Sequence, residues 1–143
     1  MLRVLALAAA AVGVAACGPT IPTPTPAVLP VRTDATIHRK AGCEAFAIGR
    51  PVSGRLGVAE LANGADVFLV SDASVIMHVI WPAGFTVITT VPAALLDDRG
   101  AALYRVGERV TLEQVSIGDH TGTDEDPYLA KGLFAGTCWG PGD

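Results

Sequence analysis

Lysine and charged side chains in general are scarce in this sequence. Only 17% of the 143 residues are charged, lysine occurs only at Lys40 and Lys131, and the formal net charge is −4. A nucleic-acid-binding surface needs clustered Lys and Arg, and so does a surface that adheres to anionic lipid headgroups. The composition therefore argues against a nucleic-acid partner and against membrane attachment by charge alone.

Motifs that indicate catalysis are also missing. The sequence contains no Gly-x-Ser-x-Gly, no His-Glu-x-x-His and no glycine-rich phosphate loop. Asp97 and Asp98 are adjacent, so in a strand they would point to opposite faces, and we expect them to serve a turn. We therefore expect no catalytic residues, no cofactor and no enzymatic activity.

The first 16 residues are apolar except for Arg3. An uncharged run over 4–14 follows this arginine, and small residues follow the run. This is the organisation of a secretory signal peptide. A transmembrane helix needs roughly 20 apolar residues, whereas Gly18 and Pro19 interrupt this stretch earlier. A simple alternative is an ordinary signal peptide that is cleaved after Ala16 and leaves Cys17 as a spare thiol.

The cleavage region, Val14-Ala15-Ala16-Cys17, resembles the lipobox of bacterial lipoproteins. In that family the signal peptide is removed before the cysteine, whose thiol carries a diacylglyceryl group, and the new amino terminus is often acylated. The resemblance implies that Cys17 is the lipidated residue, with acyl chains such as palmitate, on the extracytoplasmic face of the cell membrane. Two or three acyl chains, at about 0.8 kcal/mol per buried CH₂, anchor a protein firmly.

Residues 17–30 are predicted to form a tether. Half of the chain's ten prolines lie here, among several threonines. Proline fixes φ and removes a backbone donor, so we expect neither helix nor strand but an extended polyproline-II spacer of about 3.1 Å per residue. The threonines either remain unmodified or carry O-linked sugars.

Residues 31–143 are predicted to form an all-β domain. Short segments rich in Val, Ile, Leu and Phe alternate with Gly, Asp, Asn and Pro. The predicted strands are 52–60, 65–71, 74–81, 85–91, 101–106, 109–117 and 128–137. Turns are expected at Asn63-Gly64 and 98–100, a hairpin at 106–109, and a single helical turn fits only at 92–97. About six to seven short antiparallel strands suggest a small closed or partly open barrel.

Three turn-forming stretches resemble small secreted actinobacterial proteins of unknown function with an OB-like barrel. These stretches are Trp81-Pro82-Ala83-Gly84, Leu95-Leu96-Asp97-Asp98-Arg99-Gly100 and Val106-Gly107-Glu108-Arg109-Val110. The resemblance implies an OB-like fold and no particular activity.

Two of the three cysteines remain once Cys17 is set aside, namely Cys43 and Cys138. An exported protein meets an oxidising environment, and no Cys-x-x-Cys motif is present, so we predict a structural disulfide. Chain-entropy reasoning gives such a long loop a stabilisation of about 4–5 kcal/mol. Two buried free thiols and a redox pair are the alternatives.

The most polar stretch is 118–126, where four carboxylates and hydroxyl groups lie close together in sequence. Asp119, Asp124 and Asp126 are candidate ligands for a hard cation such as Ca²⁺. The EF-hand spacing is absent, so a solvated loop is the simpler interpretation. His78 lies in an apolar run, where it is either a hydrogen-bonded core residue or a ligand in a barrel mouth.

These observations favour a lipid-anchored protein of the cell envelope. We expect its extracytoplasmic β-domain to bind another envelope component, a protein or a glycan, without catalysis. A small-ligand-binding or metal-binding lipoprotein is the alternative, and an unrecognised enzyme is a third. A broad apolar surface would favour a protein partner, whereas a deep pocket with convergent polar groups would favour a small ligand.

Overall fold

The computed structural model describes residues 18, 22, 25–42, 50–115 and 121–142. Every regular element in these ranges is a β-strand, which confirms the predicted all-β class. The strands are β1 (Val28–Pro30), β2 (Thr33–Asp34), β3 (Ile37–Lys40), β4 (Arg50–Leu61), β5 (Gly64–Val70), β6 (Ile76–Pro82), β7 (Thr86–Ile88), β8 (Ala94–Leu96), β9 (Ala102–Arg105), β10 (Arg109–Val115), β11 (Tyr128–Leu129), β12 (Gly132–Phe134) and β13 (Thr137–Pro141).

The described strands form two sheets, and neither closes into a barrel. A 4-stranded sheet has the order β1-β7-β8-β9. A 9-stranded sheet follows the order β11-β6-β5-β4-β10-β12-β13-β3, with β2 also beside β6. Most pairs are antiparallel, but β11 and β2 run parallel to β6. The described residues thus form 13 strands rather than the predicted six to seven, and two short strands add parallel pairs to the predicted antiparallel ones.

The core is built around four aromatic rings contributed by both halves of the chain. Trp81 stacks on Phe85 at a centroid distance of 6.1 Å, and Phe85 meets Trp139 edge-on at 4.8 Å. Phe134 completes the group by stacking on Trp139 at 5.7 Å. The indole N–H of Trp81 donates to the Val67 carbonyl at 2.8 Å, so this fully buried ring keeps its polar atom satisfied.

The side chains of strand β5 alternate between the buried core and the outward face of the sheet. Ala65, Val67 and Leu69 are buried, while the residues between them face the other side. Asp66 and Phe68 therefore share the outward face, because side chains two apart in a strand point the same way. This face carries the candidate site.

The turn predicted at Asn63-Gly64 is confirmed. Leu61 pairs with Gly64, and Ala62 and Asn63 make the two-residue connection between β4 and β5. Gly64 has φ +141°, and a side chain there would collide with the carbonyl of Pro30. Only glycine therefore allows β1 to pass this close to the hairpin.

Strand β1 lies within the segment that the sequence predicts as an unstructured tether, so that prediction is wrong for Val28–Pro30. Val28, Leu29 and Pro30 pair with Ile88, Val87 and Thr86. β1 is the edge strand of its sheet. Proline, which has no backbone N–H, is tolerated at an edge because the open side of the strand needs no ladder hydrogen bond.

The region 92–97 contains strand β8 rather than a helical turn. β8 pairs with β7 on one side and β9 on the other, and all three of its residues are buried. The apolar run over 94–96 is too short to show a strand period, and its partners decide its conformation.

The segment 106–109 is a turn but not a hairpin. The Glu108 N–H donates to the Arg105 carbonyl at 3.0 Å, yet β9 pairs with β8 and β10 pairs with β4. Gly107 and Glu108 exchange backbone hydrogen bonds with Leu56 on β4. The chain therefore crosses between the two sheets at this point.

The predicted strand over 128–137 is three strands. β11 pairs with β6, whereas β12 and β13 form a hairpin through Ala135 and Gly136, both with positive φ. Lys131 and the turn at 135–136 divide the apolar pattern that the sequence shows as one run.

Candidate functional site

Adjacent strands place an aspartate beside a histidine on the outward face of the larger sheet. Phe68 on β5 is directly opposite His78 on β6, with ring centroids 6.0 Å apart. Asp66 lies two residues before Phe68 on the same face and is therefore the diagonal neighbour of His78. The pairing of β5 and β6 thus brings the two side chains together.

His78 contacts a carboxylate through each of its ring nitrogens. Nδ1 lies 2.7 Å from Asp66 Oδ2, and Nε2 lies 3.1 Å from Asp124 Oδ1. The side chains of His78 and Asp66 are about four-fifths buried, whereas that of Asp124 is 82% exposed. These three residues form what we call the Asp-His-Asp cluster.

Asp66 has spare capacity as a hydrogen-bond acceptor. Its Oδ1 atom is buried and has no hydrogen-bond partner among the residues that the structure describes. Burying a carboxylate oxygen without a hydrogen-bond partner costs free energy. The contact of Oδ2 with His78 offsets part of this cost. Asp66 therefore holds the imidazole ring in one orientation.

The loop 121–126 presents Asp124 to the histidine. The backbone N–H of His78 donates to the Gly122 carbonyl at 2.7 Å. The Thr121 N–H donates to Asp126 Oδ2 at 2.9 Å, and the Gly122 N–H donates to the Asp126 carbonyl at 2.8 Å. The loop is thus closed on itself and docked on β6 at the same residue whose side chain meets Asp124.

The residues predicted as metal ligands have different positions in the structure. Asp124 belongs to the cluster, Asp126 braces the loop, and Asp119 lies outside the described residues. His78, for which the sequence leaves open a core role or a ligand role, is part of the cluster. The sequence analysis did not select Asp66. Its distance from the β4–β5 turn was the available signal, because the hairpin register puts Asp66 and Phe68 on the same face of β5.

A second ionic group lies at the 97–101 turn. The Arg39 guanidinium donates to Asp97 at 2.6 Å and to Asp98 at 2.7 Å, and it lies over the Trp139 ring at 4.6 Å. Asp97 also accepts from the N–H groups of Arg99 and Ala101. Asp97 therefore serves this turn, as the sequence predicts.

The pKa of Asp97 reflects this environment. Burial alone would raise the pKa of its carboxyl, but hydrogen bonds from Ala101, Arg99 and Arg39 outweigh burial and lower the pKa below its ordinary value. The pKa of Arg39 is raised, first through its hydrogen bond to Asp98. Arg39 and Asp97 are therefore both charged at neutral pH, and their ion pair acts as a structural clamp between β3 and the 4-stranded sheet.

The predicted lipid and disulfide sites lie largely outside the described residues. Cys17 and Cys43 both fall outside them, so lipidation and the Cys43–Cys138 pairing stay predictions. Cys138 is buried on β13, directly opposite Lys40 on β3. Because Cys43 follows Lys40 by three residues in sequence, this register is compatible with the predicted bond.

An apolar cleft lies beside the β4–β5 hairpin. It is lined by Pro30, Val31, Arg32, Leu61, Ala62, Asn63 and Ala65. Most of the lining is apolar, Leu61 is 61% exposed, and the two polar side chains belong to Arg32 and Asn63. The cleft therefore adjoins Pro30, the last residue of β1.

Comparison of the chain with protein-family models, with curated proteins and with solved structures finds no match. Within the described residues, no helix is long and apolar enough to cross a membrane.

Proposed function

We propose that this chain is a lipid-anchored protein on the extracytoplasmic face of the cell membrane, whose β-domain binds another envelope protein without catalysis. The lipobox-like Val14-Ala15-Ala16-Cys17 supports the anchor, and the proline-rich stretch after it supports a spacer between lipid and domain. Anchoring raises the local concentration of the domain, so a modest affinity suffices for its partner.

The observation that carries the binding function is the apolar cleft at the β4–β5 hairpin. A shallow apolar cleft suits an apolar side chain of a protein partner. The lining offers few polar groups to orient a sugar or a small polar ligand. We therefore assign the cleft to a protein partner rather than to a glycan.

Photo-crosslinking in intact cells tests this assignment. A photoreactive amino acid replaces Leu61 in the full-length protein, and a matched variant carries it at Val91, which is apolar and 98% exposed but outside the cleft. We expect a discrete protein adduct from position 61 that is absent from position 91. Identical adducts from both positions, adducts from neither, or an adduct that resists proteolysis because it is a glycan would each contradict the proposal.

We further propose that the domain is a partly open, OB-like barrel secured by a Cys43–Cys138 disulfide. The two ends of the larger sheet approach each other, because the Ala83 N–H just after β6 donates to the Ile37 carbonyl of β3 at 2.9 Å. The Trp81 N–H donates to the Arg32 carbonyl within the pairing of β2 with β6, so the segment leading to β3 already lies beside β6. These contacts support a sheet that curls on itself without a continuous strand ladder across the gap.

A further inference from the structure

We propose that the Asp-His-Asp cluster is a binding site for a divalent transition-metal ion of the Zn²⁺ class, with His78 Nε2 and Asp124 Oδ1 as ligands and Asp66 as the residue that positions the histidine. The proposal is independent of lipid anchoring and of the apolar cleft, because it rests on contacts between β5, β6 and the loop 121–126.

The distance between the two proposed ligand atoms fits one metal ion. His78 Nε2 and Asp124 Oδ1 are 3.1 Å apart. Zn–N and Zn–O bonds of about 2.0–2.2 Å, at angles between octahedral and tetrahedral, place neighbouring ligand atoms about 2.8–3.6 Å apart. A cation can therefore enter between these atoms with little rearrangement of either side chain.

The histidine is also oriented as a metal ligand requires. Asp66 Oδ2 is 2.7 Å from Nδ1, so Nδ1 carries the hydrogen that this carboxylate accepts. A metal-bound histidine usually donates its other ring N–H to a carboxylate or a carbonyl, which fixes the ring and strengthens the metal bond. Asp66 fills this role through Oδ2, while its buried Oδ1 has no hydrogen-bond partner in the described part of the chain.

The chemistry of the ligands selects the class of ion. Calcium and magnesium bind oxygen atoms, whereas an imidazole nitrogen with a carboxylate suits Zn²⁺ and its neighbours in the transition series. Of the aspartates predicted from the sequence as calcium ligands, Asp124 faces His78, whereas Asp126 accepts the Thr121 N–H within its own loop. Two protein ligands leave further positions open to water, so the bound ion would be exchangeable.

Isothermal titration with Zn²⁺, Ca²⁺ and Mg²⁺ chlorides tests the site on the full-length chain in detergent, prepared without a histidine tag. We expect saturable binding of one Zn²⁺ and no comparable heat with Ca²⁺ or Mg²⁺. Asp124→Asn should weaken Zn²⁺ binding at least 10-fold, and Asp66→Asn should weaken it about 10- to 100-fold through loss of the positioning contact. Asp124 is exposed, so its replacement leaves the fold intact, and a thermal melt verifies this.

Glu125→Gln is the matched control. It removes the same charge from the next residue of the same loop, which is exposed and outside the cluster. We expect its Zn²⁺ affinity to stay within 2-fold of the wild type. The proposal fails if Zn²⁺ gives no saturable binding, if Asp124→Asn and Glu125→Gln weaken binding equally, or if Ca²⁺ binds in preference to Zn²⁺.

Discussion

A buried carboxylate is tolerated when its oxygens accept enough hydrogen bonds to replace water, and Asp97 meets this condition. It accepts two backbone N–H groups within its own turn and a guanidinium from β3, although only 5% of the residue is exposed. Asp98 shares the same arginine but is more exposed. Replacing each aspartate in turn therefore removes the same charge from a buried and from a more exposed position, which separates the effect of burial from the effect of charge.

We expect Asp97→Asn to destabilise the protein by about 1–3 kcal/mol at pH 7, because a charge-assisted hydrogen bond to Arg39 is lost. Asp98→Asn should cost less than about 1 kcal/mol, since an exposed ion pair is screened by water. Urea unfolding of both variants measures the difference. Equal losses of unfolding free energy would contradict the structural role assigned to Asp97.

The same variant has a defined pH dependence. Because the pKa of Asp97 is lowered in the folded state, its ionised form contributes stability above the unfolded pKa of about 3.9, and this contribution disappears as the pH falls through the lowered folded value. The gap in unfolding free energy between wild type and Asp97→Asn should therefore shrink as the pH falls from about 5 to about 2.5. A gap that widened would reverse the sign of the assigned pKa shift.

At the scale of single elements, the loop 121–126 depends on a glycine. Gly122 has φ +78°, and a Cβ there would collide with the ring of Tyr128. Gly100 has nearly the same φ, +79°, but its Cβ would meet nothing within 4 Å. A side chain would therefore strain the backbone at both positions, but only a side chain at Gly122 would also collide with a neighbouring residue.

We expect Gly100→Ala to cost about 1–2 kcal/mol from left-handed strain alone. Gly122→Ala should cost at least about 1 kcal/mol more, because the Tyr128 ring must move and the loop loses its place on β6. Paired urea denaturation curves measure both, and Zn²⁺ titration should show weaker binding only for Gly122→Ala. Equal destabilisation with unchanged Zn²⁺ affinity would show that the loop does not depend on this packing.

Local sequence signals predicted the elements that local contacts determine. The Asn63-Gly64 turn and the 98–100 turn connect neighbouring strands, and both are where the sequence indicates them. The strand β8 was missed because Ala94–Leu96 is too short to show a period and is set by its two partners. The turn at 106–109 was assigned to a hairpin because nothing local reveals that β10 pairs with β4.

The candidate site was predictable only in part for the same reason. The sequence singled out Asp124 and His78 separately, by the acidity of one segment and the apolar surroundings of the other. Their meeting depends on the parallel pairing of Tyr128 with Val79, which brings the loop beside β6. Such a pairing between segments far apart in sequence leaves no periodic signal.

At the scale of the whole molecule, the aromatic core ties the two sheets to both ends of the domain. Phe85 precedes β7 of the smaller sheet and packs on Trp81 and Trp139 of the larger one. β1 forms the last three residues of the predicted tether segment 17–30, so a pull on the proposed anchor would act first on an edge strand. The cleft at the β4–β5 hairpin lies next to that strand, through the contact of Gly64 with Pro30.

The proposed anchor is tested most directly by the intact mass of the protein extracted from its own membrane. Wild-type protein should have the mass of a chain that starts at Cys17 plus an acylated glycerol, and Cys17→Ala should lack the acyl mass. Should the wild-type protein instead carry no added mass at Cys17, or should the variant remain in the membrane with the mass of the wild type apart from the substitution, the lipid anchor would be contradicted.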